Sequence, residues 1–168
     1  KSLAKIVSTG EILSSFIIAE AMKINGLNAI LKDSRLLIKT NSNYINADVD
    51  LDLTYKNMAD FISSDEHDII VLPGFISSDK KDEITTLGRG GSDFTAAIYA
   101  NAIHAEVLEI WTDVSGMFTA NPKLVKQAKP IKEISYLEAM ELSHFGAKVI
   151  YPPTIQPALD KEIPIIIK

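Results

Sequence analysis

The sequence predicts an α/β protein built around a mostly parallel sheet, and three observations support this. Apolar residues recur at helical spacing in several segments, of which residues 8–25 form the longest. Short continuous apolar runs, such as Asp68–Ile76, contain proline and glycine at their ends, as strands buried on both faces do. The two kinds of segment alternate along the chain, which is typical of parallel strands connected by helices.

The first predicted helix runs from Ser8 to Asn25, and Gly26 is its expected C-cap. Its apolar side chains recur every three or four residues, so we expect them to face the core. These side chains are Leu13, Phe16, Ile17, Ala21 and Ile24.

The other elements follow from similar patterns. Strands are predicted at 27–31, 36–39, 68–76, 84–87, 106–114 and 164–168, the last as a buried strand. Helices are predicted at 50–63, 92–103, 139–144 and 154–162. Residues 84–87 are expected to form a hairpin with Gly74–Ser77. Ser135 and Glu138 form a capping box, and Pro157 is tolerable only in a first helical turn.

Composition excludes several functional classes. The 168 residues suit one domain, or a large part of one, and no linker marks a boundary. A net charge of −5 argues against a nucleic-acid partner. The absence of cysteine excludes thiol catalysis and suits the cytoplasm. No apolar run approaches the ~20 residues of a membrane helix, so no membrane partner is expected. The chain opens without Met and is expected to be a piece of a longer protein.

The stretch GRGGSD predicts an anion-binding turn. Gly88, Gly90 and Gly91 surround Arg89 just before a predicted helix, whose N-terminal N–H groups attract negative charge. The guanidinium suits a carboxylate or a phosphate in two-point contact, whereas Asp93 would repel a bare phosphate. A plain helix cap would explain Ser92 and Asp93 but not three glycines around an arginine, so a binding role is favoured.

A second candidate site is WTDVSGMFTANPK. Thr112, Phe118 and Lys123 supply a hydroxyl, a flat ring and a cation that suit a nucleotide, although an Asx-turn at Asp113 explains the segment equally well. Trp111 is expected in the core.

Other chemical groups carry weaker signals. Lys148 could reach a transferring phosphoryl group, but a solvated lysine is the commoner outcome. Ser8 and Glu11 form a second capping box, for which a structural role is favoured. His67, His104 and His144 lack metal-ligand spacing, and no metal ligands are predicted.

Taken together, TTLGRGGSDFTAA, WTDVSGMFTANPK, EAMELSHFGAKVIYPPTI and IPIIIK resemble the aspartate kinase catalytic domain of the amino acid kinase family. The resemblance runs from STGEI to the last residue, and it is strongest toward the bifunctional aspartate kinase–homoserine dehydrogenase type. It implies a three-layer sandwich with a mostly parallel central sheet. It also implies ATP-dependent phosphorylation of L-aspartate, the first step toward lysine, threonine and methionine, with Mg²⁺ bound to ATP and a homo-oligomeric protein.

The resemblance also implies roles for individual residues. Arg89 would clamp the substrate carboxylate, Glu11 would meet the substrate ammonium group, and Asp93 would organise phosphoryl transfer. Further contacts to aspartate would come from Phe75, Gly90, Gly91 and Ser92. Contacts to ATP would come from Thr112, Asp113, Phe118, Lys123, Lys148 and Val149.

The chain departs from the family pattern in two respects. Phe118, Asn121 and Lys123 stand where the family commonly has tyrosine, an acid and arginine, which removes a hydroxyl contact and a bidentate grip. The family's N-terminal lysine–phenylalanine–glycine–glycine segment is not in the sequence, so we expect the chain alone to be inactive and to self-associate through an open sheet edge. Two alternatives remain: a glutamate or carbamate kinase, and a non-catalytic nucleotide-binding module.

Overall fold

The computed structural model describes residues 1–113, 116–144 and 155–168. The chain divides into two compact units, Lys1–Thr95 and Ala96–Lys168, and each is described here by itself. The elements are α1 Ser2–Ile24, β1 Ala29–Leu31, α2 Ser34–Leu37, β2 Lys39–Thr40, α3 Leu51–Ile62, β3 Ile69–Val71, β4 Ile76–Asp79, β5 Ile84–Thr86, α4 Gly91–Ala102, β6 Leu108–Ile110, α5 Tyr136–His144, α6 Gln156–Leu159 and β7 Ile165–Ile167. The division falls within α4, and the single catalytic domain stays a prediction.

The strand pairing confirms the α/β prediction. In the first unit β1 pairs in parallel with β3, and β2 pairs in parallel with β4. The hairpin is also confirmed, because β4 and β5 are antiparallel with Ile76 opposite Thr86. In the second unit β6 and β7 are parallel. Parallel pairs therefore predominate among the described residues.

Helix α1 begins six residues earlier than the sequence pattern indicates. Ser8 therefore lies inside the helix, where its hydroxyl donates to the carbonyl of Lys5, and the predicted capping box with Glu11 is wrong. The C-terminal end is as predicted, since Gly26 has φ +80° and its N–H donates to Lys23 at 2.9 Å. The Leu27 N–H donates to Met22, which completes a Schellman motif.

The buried face of α1 is the opposite of the predicted one. Its buried residues are all small: Ala4, Ser8, Ser15 and Ala19. The large side chains predicted to face the core are exposed, with Ile17 at 63% and Ile24 at 84%. Small side chains let the helix lie close to β1 and β5, which it contacts. Close backbone approach, rather than apolar volume, therefore selects the inward face.

Two substitutions test this orientation of α1. Ala19→Leu should destabilise the chain by about 1–3 kcal/mol because it inserts volume at a fully buried position. Ile17→Gln should change the free energy of unfolding by less than about 0.5 kcal/mol, since the side chain is on the surface. Urea denaturation of the two variants measures both. A larger loss of stability for Ile17→Gln than for Ala19→Leu would instead support the buried face predicted from the sequence.

The expectation that no segment is long and apolar enough for a membrane helix is wrong for α1. By length and composition it could cross a membrane, with 23 residues and a mean hydropathy of 1.4 over its best window. The same helix packs against β1, β3 and β5. Glu11, near its midpoint, lines a pocket described below. Only 22% of that window is buried, so α1 packs on the first unit through its small residues while its large apolar side chains stay exposed.

Two predicted strands in the first unit differ from the structure. Residues 36 and 37 belong to α2, because the carboxylate of Asp33 accepts from the Arg35 N–H at 3.0 Å and caps a helical turn. The run 68–76 is not one strand buried on both faces. It divides into β3 and β4, and β3 is only partly buried. Pro73 has no N–H to offer a sheet, and Phe75 turns the chain with φ +68°.

The second unit packs α4 on its two strands. Ala97 and Ala100 are buried with Leu108, Ile110 and neighbouring apolar residues, so the alanine-rich side of α4 lies against the sheet. The capping box before α5 is confirmed, since Glu138 accepts from the Ser135 N–H at 2.9 Å. The helix nevertheless begins at Tyr136 rather than Ala139.

Two burial predictions in this unit are wrong. Trp111 is 74% exposed, and its Nε1 donates to Glu109 while the Lys168 ammonium lies 5.3 Å from the ring centroid. The final strand β7 is only partly buried, with Ile166 43% exposed. The short strand β6 ends before Trp111, so the indole leaves the sheet toward solvent.

Candidate active site

The first unit contains a pocket of about 350 Å³ at the start of α4. Four parts of the chain supply its walls: α1, the turn between β3 and β4, the glycine-rich turn after β5, and the first residues of α4. The lining residues are Glu11, Phe75, Gly88, Gly90, Gly91, Ser92 and Asp93. The structure therefore brings together six residues singled out for substrate binding or catalysis, and it adds Gly88.

The glycine-rich turn is fixed by backbone geometry. Gly88 and Gly90 have φ angles of +76° and +69°, a region that side chains disfavour. A Cβ at Gly88 would lie 1.8 Å from Oδ1 of Asn46, so a larger residue there would displace the Asn46 side chain in addition to being strained at a positive φ. The Gly91 N–H donates to Gly88, and the Phe94 N–H donates to Gly90 as α4 begins. The helix starts at Gly91, which places Ser92 in its first turn rather than at its cap.

The opposite wall is a strained turn at Phe75. Its φ of +68° is unusual for an aromatic residue and costs about 1–3 kcal/mol. Two glycines let this turn approach α4. A Cβ on Gly74 would lie 3.0 Å from the Ser92 Cα, and one on Gly91 would lie 2.9 Å from the Phe75 ring. At this wall the chain therefore packs backbone against backbone at Gly74 and aromatic ring against backbone at Gly91.

The charged groups of the pocket differ in placement. Glu11 and Asp93 both line it, and burial raises the pKa of the half-buried Asp93 carboxyl. Arg89 is exposed and is not among the lining residues, although it stands between Gly88 and Gly90, which are. The pocket thus offers carboxylates to a cationic group and the N-terminus of α4 to an anionic one.

The residues predicted to bind ATP belong to the second unit, and those described are mostly exposed. The Thr112 N–H donates to Lys168 at 2.8 Å, which extends the β6–β7 pairing. The Thr112 hydroxyl donates to the Asp113 carboxylate at 3.3 Å. Phe118 is half-buried and pairs with Pro130 in an isolated antiparallel β-bridge, while Lys123 is exposed. Lys148 and Val149 lie outside the described residues.

No metal cluster is formed by the residues that the structure describes. Within 1–113, 116–144 and 155–168, no three His, Asp or Glu side chains come close enough to hold an ion. His67 instead contacts the Asp65 carboxylate at 3.2 Å, and His104 sits at a turn with φ +50°. The side chain of His144 lies outside the described part of the chain.

The sequence model of the amino acid kinase family matches residues 2–168. The chain belongs to this family. Among curated proteins, it is 42% identical over 166 residues to the bifunctional aspartokinase/homoserine dehydrogenase of Buchnera aphidicola, covering 98% of the chain and 20% of that protein. It is 38% identical over 164 residues to the lysine-sensitive aspartokinase 3 of Escherichia coli, covering 97% of the chain and 36% of that protein.

Solved structures agree with the sequence relatives. The crystal structure of E. coli aspartokinase III with aspartate and ADP superposes with a TM-score of 0.89 at 39% identity, covering 98% of this chain and 37% of that one. The α/β fold and the resemblance to aspartokinases are thus confirmed. The chain spans between a fifth and two fifths of the length of these relatives.

Proposed function

We propose that the protein containing this chain is an aspartate kinase. It would transfer the γ-phosphoryl group of ATP to the side-chain carboxylate of L-aspartate and release 4-phospho-L-aspartate and ADP. The observation that supports this most is the pocket at the start of α4, lined by Glu11, Phe75 and the GRGGSD turn. It occurs in a chain aligned over nearly its whole length with a kinase crystallised with aspartate and ADP.

The pocket chemistry suits an amino acid as the acceptor. In this proposal the Glu11 carboxylate binds the substrate ammonium group, and Phe75 walls the pocket. Arg89 folds over the mouth to hold a substrate carboxylate in two-point contact. The backbone of Gly90 and Gly91, with Ser92, lines the same end, where the N-terminus of α4 favours negative charge.

The reaction requires positioning and charge neutralisation more than proton transfer. At neutral pH the acceptor carboxylate of aspartate is already ionised, so no base is needed to activate it. One carboxylate oxygen forms a bond to the γ-phosphorus, and the bond from that phosphorus to the β–γ bridging oxygen breaks. We propose that Asp93 orders the cationic groups around this centre, because a half-buried carboxylate attracts them strongly.

A magnesium ion would enter with ATP. The nucleotide phosphates would supply most of its ligands, with Asp93 as a protein contact. The ion would neutralise charge on the transferring phosphoryl group.

For ATP itself we propose the second-unit residues predicted from the sequence. Thr112 and Asp113 would contact the nucleotide at the end of β6, Phe118 would offer its ring, and Lys123 would offer a cation to phosphate. Lys148 and Val149 complete this set as predictions, with Lys148 in a catalytic role near the phosphoryl group.

The wider biological setting is also a proposal. We place the protein in the cytoplasm, at the first step of lysine, threonine and methionine biosynthesis. Its net charge of −5 supports independence from nucleic acid. The charged Glu11, which lies near the midpoint of α1 and lines the pocket, supports independence from membranes. Exposed apolar residues such as Ile6, Leu13 and Ile17 support a homo-oligomer.

Product trapping tests the proposal. The full-length gene product, given ATP, Mg²⁺, L-aspartate and hydroxylamine, is expected to form aspartyl hydroxamate in proportion to ADP. A protein that binds ATP–Mg²⁺ by calorimetry but forms no hydroxamate from any amino acid would instead be a nucleotide-binding module.

A further inference from the structure

We propose that Thr95 is a positioning residue that holds the Phe75 wall of the pocket against the start of α4. The proposal rests on the assignment of this pocket to the acceptor substrate. Thr95 does not line the pocket itself. It acts through a single hydroxyl that hydrogen-bonds to two of the segments lining the pocket.

The hydroxyl of Thr95 makes two hydrogen bonds. It accepts from the Phe75 N–H at 3.0 Å and donates to the carbonyl of Gly91, one helical turn earlier, at 2.8 Å. The side chain is only 2% exposed, so water does not replace either partner. A hydroxyl carries one proton, and Thr95 uses it toward Gly91. The acceptor side therefore faces Phe75.

Phe75 depends on this bond because its backbone is strained. A φ of +68° is disfavoured for a residue with a side chain, and the residue stays there only if its surroundings hold it. The Phe75 carbonyl accepts from the Leu87 N–H at 2.9 Å. The carbonyl is therefore held by the residue that follows β5, and the N–H is held by Thr95 of α4. Without Thr95, the N–H would be left without its acceptor.

Release of Phe75 would widen the pocket at this wall. The Phe75 ring lies where a Cβ on Gly91 would be only 2.9 Å away, and the neighbouring Gly74 is equally close to Ser92. A relaxed φ at Phe75 would move the ring away from Gly91. Thr95 therefore controls the fit of the acceptor substrate and leaves the nucleotide contacts unchanged.

The test compares Thr95→Val with Thr95→Ser in the full-length protein. Valine keeps the shape and removes both hydrogen bonds, whereas serine keeps the hydroxyl. We expect the valine variant to raise the KM for aspartate about tenfold or more, with the KM for ATP within about twofold, and the serine variant to resemble the parent. Hydrogen exchange of the Phe75 amide should accelerate in the valine variant alone.

Thr54→Val provides a matched control. Thr54 is fully buried on a helix of the same unit, and its hydroxyl accepts the Lys39 N–H at 3.1 Å. We expect this variant to lose stability without changing the KM for aspartate. Equal rises in both KM values for Thr95→Val, or an equal effect of Thr54→Val on aspartate, would overturn the positioning role.

The exchange measurement separates this proposal from the proposed function. Unchanged protection of Phe75 in Thr95→Val overturns the proposal whatever the enzyme catalyses. Accelerated exchange in a protein that does not phosphorylate aspartate would leave the positioning role intact and refute the assignment of substrate.

Discussion

Replacing Asp93 with asparagine is expected to lower kcat for aspartate phosphorylation by about 10²–10³-fold, the usual cost of removing one electrostatic contact at a reacting centre. The variant keeps the size and half-burial of the side chain but removes the charge that would order cations around the phosphoryl group. Steady-state kinetics of the full-length protein with saturating ATP–Mg²⁺ measures the effect. A kcat within about twofold of the parent would refute a role for Asp93 in phosphoryl transfer.

The same substitution should not destabilise the fold. Burial raises the pKa of Asp93 above its ordinary value of 3.8, which means that the ionised carboxylate opposes folding. This cost is present at neutral pH and disappears as the pH falls through the raised pKa toward 3.8. Asp93→Asn should therefore denature at a higher urea concentration than the parent at pH 7, and the difference should shrink in acid.

Asp52→Asn is the matched control for Asp93. Asp52 also lies in the first turn of a helix, α3, but it is exposed and away from the lining residues of the pocket. We expect unchanged kcat and a slight loss of stability, since a carboxylate at a helix N-terminus is favourable by about 0.3–1 kcal/mol. A gain of stability for Asp93→Asn together with a loss for Asp52→Asn would show that Asp93 serves function, whereas Asp52 stabilises its helix.

Replacing Arg89 with lysine is expected to raise the KM for aspartate by about 10–100-fold, because lysine cannot make a two-point contact with a carboxylate. The KM for ATP should change by less than about twofold. Arg89 is exposed beside the pocket, and lysine keeps its positive charge. Equal rises in both KM values would contradict its role in aspartate binding.

Arg35→Lys tests whether an arginine-to-lysine change elsewhere in the chain also alters the KM values. Arg35 is the one other arginine in the sequence, and it grips the Asp33 carboxylate with both Nε and Nη2. We expect that variant to lose stability while both KM values stay the same.

The sequence predicted the features that depend on local chemistry. The Ser135–Glu138 capping box, the C-cap at Gly26 and the β4–β5 hairpin all form, because each depends on residues close together in the chain. The pocket was anticipated in outline for a related reason. Glycines around Arg89 and a helix start specify an anion-binding turn without reference to the rest of the fold.

The sequence failed where long-range contacts decide. Helix α1 buries Ala19 and exposes Ile17 because strands lie close to it, and hydrophobic periodicity ranks these residues in reverse. Trp111 was expected in the core, yet β6 ends one residue earlier and leaves the side chain exposed. Gly88 was singled out only for the turn, since its clash partner, Asn46, is distant in sequence. Thr95 carried no recognisable signal, because its partner Phe75 lies 20 residues away.

The central claim is that the pocket selects an amino acid with the geometry of aspartate. Initial rates of the full-length protein with L-aspartate, L-glutamate and succinate, each with ATP–Mg²⁺ and hydroxylamine, test it most directly. We predict turnover of aspartate and little of the other two, since glutamate is one methylene longer and succinate lacks the ammonium group assigned to Glu11. Turnover of glutamate at a rate equal to or above that of aspartate would contradict the account.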